Sequence, residues 1–188
     1  MRLKTILPLL PATGLVLLPT AALAHPGHDH IVSGFMAGAL HPLSGFDHLL
    51  GMIVVGLFAV QLGGRALWML PATFMAAMAT GALAASAGGA ASIVEPGIAL
   101  SVILLGAIVA LRVRPPLFAA MALVGAAALF HGHAHGSEAV GGVSTLYLAG
   151  FLLSTATLLM AGIAAGLASS RIVRGRRAPA LYLSIARR

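Results

Sequence analysis

Cysteine is absent from the 188 residues, which removes disulfides, thiolate metal sites and a cysteine nucleophile from consideration. Any metal chemistry must use imidazole, carboxylate, thioether or backbone ligands. Charge is nearly as scarce: only 8% of residues are charged, against roughly 25% in ordinary soluble domains. No long polar segment, heptad array or Walker A loop is present, so the chain has no ATP-driven motor of its own. Lysine and arginine outnumber acids 11 to 4, but they sit in short clusters between apolar runs, which marks membrane topology and not nucleic-acid binding. What fills the chain instead is apolar: 60% of residues are hydrophobic and the mean hydropathy is +1.03. Several runs approach the ~20 residues that a ~30 Å hydrocarbon core requires. The fold expected is therefore all-α, a small polytopic helical membrane protein.

The first 24 residues read as a secretory signal. Arg2 and Lys4 form a basic start, an apolar stretch runs from Ile6 to Thr20, and Ala22-Leu23-Ala24 fits a small-x-small cleavage site. Pro8, Pro11 and Pro19 make that stretch a poor spanning helix, so cleavage after Ala24 is expected, leaving a permease domain over 25–188. About five transmembrane helices follow. The first, within 31–62, is interrupted at His41–His48 into a half-helix and a span of about 46–62; the others cover about 66–88, 96–112, 115–131 and 144–168. With the mature N-terminus outside, five crossings put Arg65, Arg112, Arg114 and the basic tail 171–188 on the cytoplasmic side. This predicts a multi-pass protein of a bacterial inner membrane with a periplasmic N-terminus and a cytoplasmic C-terminus. Every histidine and every acid then falls at an outward-facing end. Gly81, Ala85 and Gly89, and separately Gly162 and Gly166, have the small-xxx-small spacing of close helix packing. Such faces serve within a subunit or in a homo-oligomer.

Three clusters and one isolated acid are candidates for chemistry. His25, His28 and His30, with Asp29 among them, form an open leader of a composition that captures divalent ions; the bland reading is a polar leader with incidental histidines. His41, Asp47 and His48 lie in the interrupted segment. Ionisable groups inside a span are costly and face a cavity or a partner, and broken helices build the ion sites of secondary transporters. Asp47 either ligates or orients a neighbouring imidazole, while the alternative makes Ser44 the cap of the following helix and Asp47 a complement to its dipole. In Phe130-His131-Gly132-His133-Ala134-His135-Gly136-Ser137-Glu138, His131 and His135 share a face if helical, and all three histidines share one if extended. The alternative there is dipole capping with Gly136 just beyond the helix end. Glu95, followed by Pro96, is either a ligand or an acid in the first turn of the third span with proline at its first position. Met52, Met75, Met78 and Met121 read as core.

Those motifs resemble the HupE/UreJ family of small bacterial nickel/cobalt membrane proteins, over essentially the whole chain after the signal. The segment His41–His48 is similar to the family's HP-x-x-G-x-D-H pattern and Phe130–Glu138 to its F-H-G-x-A-H-G-x-E pattern. His133 falls on the variable position, which leaves His131, His135 and Glu138 as the stronger ligands. The resemblance implies a secondary permease for Ni²⁺ or Co²⁺ with no prosthetic group, and a link to hydrogenase or urease maturation. The larger nickel/cobalt permeases carry H-x4-D-H, whereas the spacing here is H-x5-D-H, so their mechanism does not transfer. The expected site is His41, Asp47, His48, His131 and His135, with Glu95 and Glu138 as secondary ligands, fed by the leader. Because imidazole must be neutral to ligate, uptake is expected to fall as the medium is acidified through about pH 6.5. A membrane subunit that delivers metal without moving it is the competing reading. An intramembrane serine hydrolase built on Ser44 fails for want of a G-x-S-x-G loop, so no enzymatic activity is expected.

Overall fold

A computed structural model describes residues 34–85, 91–139 and 143–185, all within one compact unit, Val32–Arg188. The signal segment 1–24 and the leader histidines His25, His28 and His30 lie outside the described residues. Everything regular among the described residues is helical. Helix α1 (Phe35–Leu40) passes directly into a 3-10 turn, His41–Leu43, and α2 spans Phe46–Leu62. Beyond the Gly63–Arg65 turn come α3 (Ala66–Ala85), α4 (Ala91–Ala110), α5 (Leu117–Ser137) and α6 (Thr145–Ile185). Four helices are long and apolar enough to cross a membrane, or five if α1 and α2 form one broken span bent by 82°.

Most buried side chains form one core, with a smaller cluster of Val94, Ile98 and Ala134 apart from it. Met52, Val55 and Phe58 of α2 meet Leu70, Phe74 and Met78 of α3, Val124 of α5 and Phe151 of α6. The outer surface is equally apolar: Phe46, Trp68, Leu100, Ile103, Leu111 and Phe118 are all exposed. A water-soluble monomer rarely leaves so much apolar surface open; hydrocarbon chains are the solvent that suits it.

Within such a solvent helices gain little from hiding apolar side chains, so contact depends on how closely backbones approach. Helices α3 and α5 pack along each other with Gly132 and Gly136 set against the carbonyls of Met78 and Ala82. A Cβ at either glycine would collide with that backbone. On the other side of the bundle Gly56 and Gly162 bring α2 and α6 together in the same way. Gly81, against the Leu129 carbonyl, and Gly162 and Gly166, against Ile53 and Val60, thus act inside the chain.

Three helix limits differ from expectation: α6 runs on to Ile185, past the expected end at about 168, and the limits of α5 and α4 shift as well. Helix α5 continues through all three histidines to Ser137, so Gly136 lies inside it, and Glu138 is its C-terminal cap, with its backbone N–H donating to the carbonyls of Ala134 and Gly136. Packing against α3 holds these glycines in the helix and outweighs their tendency to end it. Helix α4 includes Pro96 in its interior, not at its first position, at the loss of one backbone bond. Its C-terminus is also unusual. Arg112 N–H donates to Val109 and Val113 N–H to Ile108, at 3.2 and 3.0 Å, the paired bonds of a Schellman cap. Arg112 therefore occupies the place glycine normally takes, with φ 55°, at about 1 kcal/mol relative to glycine.

Candidate metal centre

The break before α2 is closed locally. Ser44 donates from both its backbone N–H and its hydroxyl to the His41 carbonyl, at 3.1 and 2.7 Å. Its side chain is thereby committed to the turn. The cap of α2 is Gly45, extended and without a side-chain bond, so the reading of Ser44 as that helix's cap does not hold. The turn sets the ring of His41 beside α5 and α6.

Asp47 does stand in the first turn of α2, and its Oδ1 accepts the backbone N–H of His48 at 2.9 Å. The same oxygen lies 2.9 Å from His48 Nδ1. A carboxylate oxygen accepts, which assigns the proton to Nδ1 and leaves the Nε2 lone pair outward. His131 reaches the same state by another route. Its Nδ1 faces the Ala127 carbonyl one turn back at 2.9 Å, again fixing the proton on Nδ1 and freeing Nε2. Gly51 makes space for that nitrogen: a Cβ there would come within 3.1 Å of it.

These rings converge. His48 lies 5.0 Å from His131 and 4.2 Å from His135 between centroids, and His41 is 4.8 Å from His135. His131 and His135, four apart on α5, are only 1% and 3% exposed. On the outer side Glu138 Oε2 sits 3.2 Å from His41 Nε2. Ligand atoms of His41, His135 and Glu138 all fall within 4.8 Å of one another, a spacing that could hold one ion.

The decisive feature is what these nitrogens lack. Nε2 of His48 and His131 and both ring nitrogens of His135 are buried without a hydrogen-bond partner among the described residues, while His41 Nε2 faces the Glu138 carboxylate. Burying a polar atom unpaired costs about 1–3 kcal/mol, so several in one place require an explanation. Neutral imidazole nitrogens with a carboxylate at the rim suit a borderline divalent ion. Of the helix ends at this site, the C-terminal end of α5 carries partial negative charge and the N-terminal ends of α2 and α6 partial positive charge.

Tyr147 joins the group unannounced by any motif. Its hydroxyl donates to the His135 carbonyl at 3.0 Å and its ring lies 5.9 Å from that of His41. No spacing in the sequence links a tyrosine early in α6 to a histidine on α5. Two flagged residues stay apart. Glu95 is exposed early in α4 and makes none of the contacts that join the others, while His133 is half-buried and outside the ring cluster.

Comparison with known proteins shows the family. The family model described as HupE / UreJ protein matches residues 13–185, and the chain is 46% identical over 155 residues to Protein HupE of Rhizobium leguminosarum bv. viciae, covering 82% of this chain and 79% of that one. No solved structure matches. A multi-pass helical membrane protein that gathers four imidazoles and two carboxylates at one end of its bundle, and that matches this family along nearly its whole length, belongs to the HupE/UreJ family.

Proposed function

We propose that the chain is a secondary transporter that takes up divalent nickel or cobalt through the imidazole cluster, without ATP. The observation that carries this reading is the convergence of the rings of His41, His48, His131 and His135 inside a membrane helix bundle, with Nε2 of His48 and His131 and both ring nitrogens of His135 buried without a hydrogen-bond partner among the described residues. His41, His135 and Glu138 offer the outermost ligands and His48 and His131 the inner ones; Asp47 holds His48 in its ligating tautomer. His25, His28 and His30 act ahead of them as a capturing leader, and Glu95 contributes an acid at the same end of the bundle. The histidine end faces the periplasm and the arginine end the cytoplasm of a bacterial inner membrane, in keeping with the positive-inside rule. Entry then runs with the membrane potential, worth about 2.3 kcal/mol per charge per 100 mV and roughly twice that for a dication. Selection of nickel or cobalt over copper rests on geometry and supply, because bare affinity of such ligands favours copper.

Radiolabelled Ni²⁺ and Co²⁺ uptake into proteoliposomes containing only this protein tests the proposal, with His48→Ala beside the wild type. Saturable accumulation that the variant loses is the expected result. Binding without entry into the lumen would overturn transport and leave a membrane subunit that passes metal to hydrogenase or urease maturation.

A further inference from the structure

At the end of the bundle remote from the histidines lies a concavity of about 560 Å³. It opens between the last turn of α2, the start of α3, the end of α4 and the middle of α6. Its walls are of two kinds. Leu57, Val60, Leu67 and Val109 line an apolar side, and Arg112 and Arg114 a charged one, with Ser169 and Ser170 beside them. An adjoining cavity of about 350 Å³ shares Arg114 and adds Arg65. No acid lines either cavity, and every ion pair found among the described residues lies in the histidine cluster. Guanidinium groups are permanently protonated donors without a lone pair, so this is no second metal site.

The position of Arg112 is built, not incidental. It keeps a left-handed backbone, φ 55°, in a cap where glycine would sit without strain. Across from it, Gln61 of α2 donates from Nε2 to the carbonyls of Ile108 and Val113, at 3.3 and 2.7 Å, clamping the turn on both sides of Arg112. A strained residue held by a polar clamp is where function is to be sought.

We propose that this pocket binds the phosphate headgroup of an anionic phospholipid, with the guanidiniums of Arg112 and Arg114 on the phosphate and an acyl chain along Leu57, Val60 and Val109. Planar guanidinium donors match phosphate oxygens, and basic pockets between membrane helices suit lipid headgroups. The apolar wall continuous with the charged one favours a lipid over free phosphate.

The test uses the full-length protein in phosphatidylcholine nanodiscs, with or without a minor fraction of phosphatidylglycerol, reading retained lipid by native mass spectrometry and the thermal midpoint. Wild type should retain phosphatidylglycerol and melt several degrees higher when it is present. Arg112→Gly should lose both effects yet melt no lower than wild type in phosphatidylcholine alone, because glycine suits the backbone there. Arg114→Gln should also lose them, and carries the test alone if the glycine variant does not fold. Equal retention by wild type and variants, or none by wild type, would overturn the proposal. An equal shift from inorganic phosphate in phosphatidylcholine alone would replace the lipid by a free anion.

Discussion

At the scale of single residues, two of the four imidazoles in the cluster have their proton positions fixed by neighbours. Asp47 does this for His48 and the Ala127 carbonyl does it for His131. An acceptor behind a metal-bound histidine typically accounts for 10- to 100-fold in metal affinity. Asp47→Asn should therefore weaken Ni²⁺ binding by about that factor, measured by isothermal titration, while the helical circular dichroism is unchanged; unaltered affinity would remove Asp47 from the site. Tyr147→Phe keeps the ring against His41 and deletes only the hydroxyl bond to the His135 carbonyl, at a cost of about 1 kcal/mol. The expected signature is a small fall in thermal midpoint with a few-fold loss of affinity. Residue type and spacing made His41, Asp47, His48, His131, His135 and Glu138 legible in the sequence as candidates. Tyr147 was not legible, because its role rests on a contact between α5 and α6 that no local pattern encodes.

Helices bring those residues together, and glycine sets how near they come. Each of the two buried histidines of α5 is followed by a glycine that faces α3 while the histidine faces α2. Gly132→Ala or Gly136→Ala forces α5 off α3 and should cost at least the 1–3 kcal/mol usual for overpacking, together with metal binding. Gly106, with nothing near its absent side chain, is the control: Gly106→Ala should leave both melting and binding intact. Gly51→Ala tests the cluster more gently. Its Cβ would press on His131 Nε2 at 3.1 Å, so affinity should fall with little change in melting, and an unchanged affinity would exclude His131 Nε2 as a ligand. The small-xxx-small spacings were readable along the chain, but which helix each one meets was not. Nor did local signals place the helix ends, since α5 runs past two glycines and α4 contains Pro96.

Considered whole, the chain is polarised between its two ends. Imidazoles and acids gather where α2 and α6 begin and α5 finishes, while Arg65, Arg112 and Arg114 gather where α2 and α4 finish and α3 begins. Alternating helix direction produces this separation, because each short connection returns the chain to the other end. Sequence alone determined the class of the protein. Apolar runs of near-membrane length and the sparse clustered charge leave a helical bundle in lipid as the fold that satisfies every backbone group, and the two histidine motifs carry the family. Tertiary structure decided the rest. Whether His48 meets His135 and whether Glu95 joins them depend on distances between segments far apart in sequence. Those distances are set by backbone contact at glycines and by the 82° bend before α2. Hydropathy is a property of segments and fixes which of them enter the membrane; ligand geometry is a property of their packing, where a single missing Cβ decides what can touch.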